Sequence, residues 1–205
     1  MNFNTGKLRG ISSYEPEADN NEIELEPMLF QADAAFADSK GGMLTTICLQ
    51  TLAGVLSPGE FRALRIDTRS TLLGKGDCAS RGGWHCDFMS ERNYSVIEPG
   101  ADEGVRHFML VSGEPLTEFI RERNVHVDLP RAFEWADVNE DIRDRDVTAF
   151  AIEPMTLYEF DAYELHRAVP SANPGLVWRW FFRASYFPRG TEYANKIRKQ
   201  VQVYR

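Results

Sequence analysis

Residues 82–88 read Gly-Gly-Trp-His-Cys-Asp-Phe, and the rest of the chain has to supply a scaffold and a pocket for this stretch. Residues two apart in a strand point to the same face, so His85 and Asp87 can reach one metal ion while Cys86 points away. A lone histidine, His166, follows 81 positions after His85. Two histidines and one carboxylate form the facial set that suits non-haem Fe(II) and leaves the opposite positions open. The stretch therefore predicts an iron site made of His85, Asp87 and His166.

A second His-x-Asp pair, His126 and Asp128, competes with the first. The pair that begins at His85 is favoured because the two glycines before it let the backbone approach a ligand closely. The second pair is followed by Pro130, which cannot donate to a sheet ladder. We therefore expect His126 and the remaining histidine, His107, to be hydrogen-bonded structural residues.

The bulk composition limits the class of protein. A chain of 205 residues with 43% apolar and 26% charged residues fits one globular domain over residues 1–205. The net charge of −8 argues against nucleic acid as a partner. No apolar run approaches the ~20 residues of a membrane span, and the start of the chain lacks a secretory signal. Three cysteines without C-x-x-C spacing fit a reducing compartment, so we expect a cytoplasmic protein with no membrane partner.

Periodicity divides the chain into a few helices and many short strands. Helices are predicted over residues 42–56, 114–123 and 191–203. Strands are predicted from residue 61 to 69, around His85, over 106–111, 147–152 and 155–160, at His166 and over 176–187. Residues 1–30 carry two bases and six acids, and we expect them to form a loosely attached acidic arm. Residues 134–146 are expected to form an exposed insertion. Residues 188–205 carry five bases and one acid and are expected to form a basic tail. No repeat is present, and strands at this spacing favour an antiparallel barrel or jelly roll over residues 60–187.

Two arginines stand out in the apolar strand over residues 176–185. Arg179 and Arg183 are four apart, so the period of two places them on one face. Buried arginine is rarely left unpaired, and a guanidinium binds a carboxylate through two parallel hydrogen bonds. Either arginine is thus a candidate anchor for an organic acid, and an ion pair with an acidic residue of the protein is the alternative.

The order His85-x-Asp87, then His166, then an arginine thirteen residues on resembles the Fe(II)/2-oxoglutarate-dependent dioxygenase superfamily. The resemblance covers residues 60–187 and implies a mainly β protein with flanking helices, a double-stranded β-helix or jelly roll related to the cupins. It implies Fe(II) on the three ligands and 2-oxoglutarate as co-substrate, with its distal carboxylate on Arg179. The usual spacing from the distal histidine is shorter, so Arg183 and Arg167 remain in contention.

The resemblance also implies an activity. Oxidative decarboxylation of 2-oxoglutarate to succinate and CO₂ would be coupled to hydroxylation of a small molecule or a side chain. Two alternatives remain open: a cupin-type metalloenzyme that does not use 2-oxoglutarate, and a non-catalytic jelly-roll binding module. Four aromatic residues are either pocket walls or ordinary core: Trp84, Phe88, Trp178 and Trp180. Neither the substrate nor the oligomeric state is specified by the sequence.

Overall fold

A computed structural model describes residue 3 and residues 5–15, 19–80, 82–87, 103–128 and 135–199. Over these ranges the chain forms ten strands and five helices. The strands are β1 Arg9–Ser13, β2 Met28–Phe30, β3 Leu64–Leu73, β4 Arg106–Val111, β5 Thr117–Ile120, β6 Ala149–Ala151, β7 Thr156–Asp161, β8 His166–Ala168, β9 Val177–Tyr186 and β10 Lys196–Arg198. The helices are α1 Asn20–Leu25, α2 Ala34–Lys40, α3 Met43–Val55, α4 Pro58–Arg62 and α5 Trp135–Arg143.

Five strands form the main sheet in the order β1-β7-β4-β9-β3, and every neighbouring pair is antiparallel. The longest ladder joins β3 to β9, from Leu64 opposite Tyr186 to Leu73 opposite Val177. Directly opposite residues share a face of the sheet, and successive residues alternate between the two faces. This register separates the apolar residues of β9 from its arginines.

The apolar face of the main sheet is covered by helices. Trp180 and Phe182 of β9 are buried in one cluster with Leu49 and Leu52 of α3. The opposite face of the sheet carries the alternate residues of β9, which include Arg179 and Arg183. The strand β3 is buried on both of its faces. The alternating sequence of β3 predicted a half-buried strand, but its polar face is covered as well.

A three-stranded antiparallel sheet in the order β6-β5-β8 covers that polar face. Met109 of β4 and Phe160 of β7 pack with Phe119 of β5 in one buried cluster. The rings of Phe119 and Phe160 lie 5.3 Å apart in an edge-on arrangement. His166 begins β8 directly opposite Phe119, so the second sheet brings the predicted distal histidine towards the main sheet.

A two-stranded sheet of β10 and β2 lies beside β3, at the edge of the main sheet. The Leu29 amide donates a 2.7 Å hydrogen bond to Thr68 Oγ1, and the Gln31 amide donates a 3.1 Å bond to Asp67 Oδ1. The basic segment near the C-terminus therefore pairs with β2, the strand that lies beside β3.

The described strands confirm the prediction of a mainly β protein with flanking helices. Two antiparallel sheets pack face to face, and neither closes into a barrel within the described residues. The double-stranded β-helix stays a prediction. The structure confirms the helix α3 and the strands β4, β6, β7 and β9 at close to their predicted positions.

Other predicted elements are wrong. The helix expected over residues 114–123 is the strand β5, because Thr117–Ile120 pairs with β6 on one side and β8 on the other. The strand expected from residue 61 begins at Leu64, after the helix α4. The helix expected over residues 191–203 is replaced, within the described residues, by β10, which pairs with β2.

Two segments expected to lie outside the core take part in it. The insertion over residues 134–146 contains the helix α5, whose Val138 and Ile142 are buried. Four residues apart, these side chains fall on one helix face. Residues 1–30, expected to be loosely attached, add β1 to the main sheet and bury Phe3. Among the described helices, none combines the length and apolar character needed to cross a membrane.

Candidate metal centre

The two predicted histidine ligands face each other across a β-bridge. The His85 amide donates to the His166 carbonyl at 3.0 Å, and the His166 amide donates back to the His85 carbonyl at 2.9 Å. This pairing sets the imidazole rings side by side, with 4.6 Å between their centroids. Residue 85 forms an isolated bridge rather than the regular strand that the sequence predicted.

Asp87 joins the two histidines. One potential ligand atom from each of His85, Asp87 and His166 lies within 4.8 Å of the others, close enough for the three to hold one metal ion. Cys86 points into a different place, a buried cluster that also contains Trp84, as the alternation predicted. The structure therefore brings together the three residues that the sequence proposed as ligands.

The histidine rings are held in the orientation that a metal site needs. His85 Nδ1 lies 3.0 Å from the carbonyl oxygen of Gly83, and His166 Nδ1 lies 3.0 Å from that of Glu164. A neutral imidazole that donates from Nδ1 to a carbonyl keeps the lone pair on Nε2 available as a metal ligand. The donor set, two imidazoles and one carboxylate, fits Fe(II).

The surroundings keep His85 and Asp87 in the protonation states that bind a metal. Burial, followed by the charge of His166, lowers the pKa of His85 to about 4, so its ring is neutral at pH 7. Burial alone would raise the pKa of Asp87, but the charges of Arg183 and His166 hold it well below its usual value. Neither group has to lose a proton when a cation arrives.

Arg183 is bound to the site's own carboxylates. Its Nη1 lies 2.6 Å from Asp87 Oδ1 and its Nη2 lies 3.6 Å from Asp67 Oδ2. These side chains are largely buried, and the two carboxylates raise the pKa of Arg183 against the effect of burial. Arg183, a candidate anchor for an organic acid, thus holds one oxygen of Asp87 and leaves Oδ2 facing His166 Nε2 at 3.5 Å.

Arg179 is the most buried of the three candidate anchors, with 5% of its surface exposed. Its Nε donates to the Pro115 carbonyl at 2.6 Å and its Nη2 to Thr117 Oγ1 at 3.1 Å. No carboxylate among the described residues lies within 4.0 Å of it. Burial and then the charge of Arg69 lower its pKa to about 10. Its Nη1 makes no hydrogen bond within the described residues.

The third candidate, Arg167, has a partner already. Both Nε and Nη2 lie 2.7 Å from Glu118 Oε2, and the guanidinium stacks on Trp84 at 4.5 Å from the ring centroid. Its side chain is 39% exposed. Among the three candidates, Arg179 is therefore the buried guanidinium that has no carboxylate partner within the described residues.

The remaining histidines have other roles. His107 is fully buried, with Nδ1 2.8 Å from Ser185 Oγ and Nε2 3.1 Å from the Asp87 carbonyl. Burial lowers its pKa to about 3, so His107 is a neutral hydrogen-bonding support for the Asp87 backbone. His126 pairs with Asp128 at 2.9 Å on the surface.

Sequence reasoning missed three contributors to the site. His107 was expected to be structural, but its bond to the Asp87 backbone was not foreseen. Asp67 and Arg69 lie on β3, where the alternation of charged and apolar residues looked like an ordinary solvated face. The sequence alone carries no signal for these contacts, because they depend on the register of β3 against the arginine strand, which puts Asp67 directly opposite Arg183.

The tryptophans divide between core and cavity. Trp178 and Trp180 belong to the helix-facing core, on the opposite side of β9 from Arg179. Trp84 lines a cavity of about 660 Å³ together with Arg167 and residues of α5. That cavity does not include any of the three candidate ligands. Phe88, the fourth aromatic residue considered for the pocket, lies outside the described residues.

No model of a known protein family matches the chain, and no curated protein sequence matches it either. Among solved structures, the chain is similar to the crystal structure of EvdMO1, with 13% sequence identity and a TM-score of 0.40. The similarity covers 87% of this chain and 38% of that chain. The chain thus spans well under half the length of the structure it resembles.

Proposed function

We propose that the protein is a non-haem Fe(II)- and 2-oxoglutarate-dependent oxygenase that hydroxylates a small molecule or a side chain. The observation that carries the proposal is the convergence of His85, Asp87 and His166 within 4.8 Å, with both imidazole Nδ1 atoms held by backbone carbonyls. Two imidazoles and a carboxylate would hold the metal and leave coordination positions open for exchangeable ligands.

The chain's own residues prepare this site before any ligand arrives. Arg183 holds Oδ1 of Asp87, which would direct the other oxygen to the metal. His107 holds the Asp87 backbone from the buried side. The bound iron and 2-oxo acid would together supply activation of dioxygen for attack on a C–H bond.

Arg179 is the proposed anchor for the co-substrate. It shares a sheet face with Arg183, is buried, and has no carboxylate partner among the described residues within 4.0 Å. A carboxylate of 2-oxoglutarate would supply the charge that this guanidinium lacks. Its bonds to Pro115 and Thr117 would fix the guanidinium plane in advance.

The test is turnover of the co-substrate. Purified protein with Fe(II), ascorbate and oxygen should convert 2-oxoglutarate to succinate, even without a primary substrate. Asp87→Ala should abolish the conversion, and His126→Ala, on the surface, should leave it unchanged. A wild-type protein that binds Fe(II) but neither binds nor consumes 2-oxoglutarate would refute the co-substrate part.

One observation favours a second candidate, a cupin-type metalloenzyme without a 2-oxo acid. Arg179 already makes two hydrogen bonds within the protein, and an arginine with a purely structural role would make the same bonds. In that case Arg179→Met would leave metal-dependent activity intact. We also propose a cytoplasmic location, since Cys48, Cys78 and Cys86 are free thiols.

A further inference from the structure

The polar face of the main sheet and its edge carry more positive than negative charge near the candidate metal centre. Four guanidiniums and two carboxylates interact there: Arg69, Arg179, Arg183, Arg198, Asp67 and Asp87. Four positive charges less two negative charges leave an excess of two. Bound Fe(II) would add two positive charges and the dianion 2-oxoglutarate would add two negative charges. The excess of two positive charges therefore persists when iron and co-substrate are both bound, as the proposed function requires.

Arg69 is the guanidinium in this group for which the described residues supply neither a hydrogen bond nor a carboxylate. Its Nε is buried without a hydrogen bond, and no carboxylate among the described residues lies within 4.0 Å of it. The nearby acids, Asp67 and Asp87, are held by Arg183. Burial and the charges of Arg183 and Arg198 lower the pKa of Arg69. A half-buried arginine in a repulsive setting costs stability unless an anion binds it.

The position of Arg69 separates it from the proposed co-substrate anchor. In the ladder, Arg69 stands opposite Phe181, two residue pairs nearer to Asp67 than the Thr71–Arg179 pair. Arg69 is partly exposed, whereas Arg179 is buried. Arg69 therefore lies nearer to solvent than the co-substrate anchor does.

The basic C-terminal segment supplies the surroundings of Arg69. Arg198 on β10 is close enough for its positive charge to lower the pKa of Arg69. Its guanidinium stacks on Phe30 of β2, with the guanidinium carbon 3.7 Å from the ring centroid. The segment's charge stands out against a chain of net charge −8. A local positive patch on an acidic protein attracts small anions and steers them to the site.

We propose that Arg69, with Arg198 beside it, binds an anionic group of the primary substrate, a carboxylate, phosphate or sulfate. The inference rests on the proposed function, because it takes the co-substrate to occupy Arg179. It assigns the substrate to the organic acids and their phosphorylated or sulfated relatives. It also gives the basic segment a role in the same site.

The test uses the full chain without metal, so that its result does not depend on turnover. Inorganic phosphate is the probe for the Arg69 subsite, and glutarate stands in for the co-substrate because it has both carboxylates but no keto group. Calorimetry should show phosphate binding with and without saturating glutarate, at similar Kd. Arg69→Met should weaken phosphate binding at least tenfold, since a hydrogen bond to a charged group is lost.

Three variants control the comparison. Arg198→Met should weaken phosphate binding several-fold, and Lys40→Met, which removes one exposed charge at the end of α2, should leave it unchanged. Arg179→Met should weaken glutarate binding but not phosphate binding. Arg69→Met should unfold at the wild-type temperature or above, because a repelled charge is removed, and should lose the upward shift of Tm that phosphate gives the wild type.

Several results would overturn the assignment. The assignment is wrong if phosphate fails to bind the wild type or binds Arg69→Met equally well. Competition between glutarate and phosphate, with Arg69→Met weakening glutarate as much as Arg179→Met does, would place Arg69 on the co-substrate instead. Succinate formation in the assay of the proposed function is independent of these outcomes, so the two proposals fail separately.

Discussion

Replacing Arg183 by methionine tests whether the guanidinium holds the candidate ligand Asp87 in place. The substitution keeps most of the apolar stem and leaves Asp67 and Asp87 without their shared cation. Breaking a buried ion pair by removing one partner costs about 3–5 kcal/mol. Because Arg183 and Asp87 keep 17% and 18% of their side-chain surface exposed, we expect about 3 kcal/mol in the metal-free protein.

Urea denaturation at pH 7 measures this loss as a change in the free energy of unfolding. Arg167→Met is the matched control, because it removes an arginine from a more exposed ion pair with Glu118 and should cost less than about 1 kcal/mol. In a double-mutant cycle, Asp87→Asn should be less costly in the Arg183→Met background than in the wild type. The reasoning is refuted if Arg183→Met costs no more than Arg167→Met, or if the two substitutions are additive.

Three further predictions follow from the site and the fold. His166→Ala should remove the rise in Tm that Fe(II) produces under anaerobic conditions, whereas His126→Ala should keep it; equal loss in both would contradict the assignment. Glu26 is buried and accepts hydrogen bonds from the backbone at the start of α3. Glu26→Gln should therefore lower the free energy of unfolding, measured in urea, by about 2 kcal/mol. No change in this free energy would rule out the capping role. Asp33 caps α2, and Asp33→Ala should cost about 1 kcal/mol at pH 7. The hydrogen bond from the Phe36 amide lowers the pKa of Asp33, so this stabilisation is present above the unfolded-state pKa and is lost as the pH falls through the folded-state value. The difference from the wild type should therefore shrink below about pH 4, and a pH-independent difference would argue against the ionised cap.

The sequence predicted those strands that can be recognised from their own residues, without knowledge of their pairing partners. β4 and β9 were found because their apolar and aromatic residues form continuous strand-like runs that end at recognisable turns. β5 was mistaken for a helix because Pro115 and the flanking charged residues suit a helix start. The pairing of Thr117–Ile120 with β6 and β8, far away in sequence, overrides that local preference.

The same limit applies to the site. The spacing of His85 and Asp87 and the order of the strands indicated which side chains would meet, since residues two apart share a face. The roles of the arginines depended on partners that only the fold supplies. Arg183 remained in contention with Arg179 until the register placed Asp67 opposite it and the loop after His85 brought Asp87 to the same guanidinium.

The most direct test of the central claim is an anaerobic titration of the Fe(II)-loaded protein with 2-oxoglutarate, followed by visible absorption. Chelation of the iron by the 2-oxo acid should produce a weak charge-transfer band that saturates, and Arg179→Met should need a higher concentration to reach it. His166→Ala should show no band. A wild-type protein that binds Fe(II) but develops no band at any concentration of 2-oxoglutarate would contradict the account.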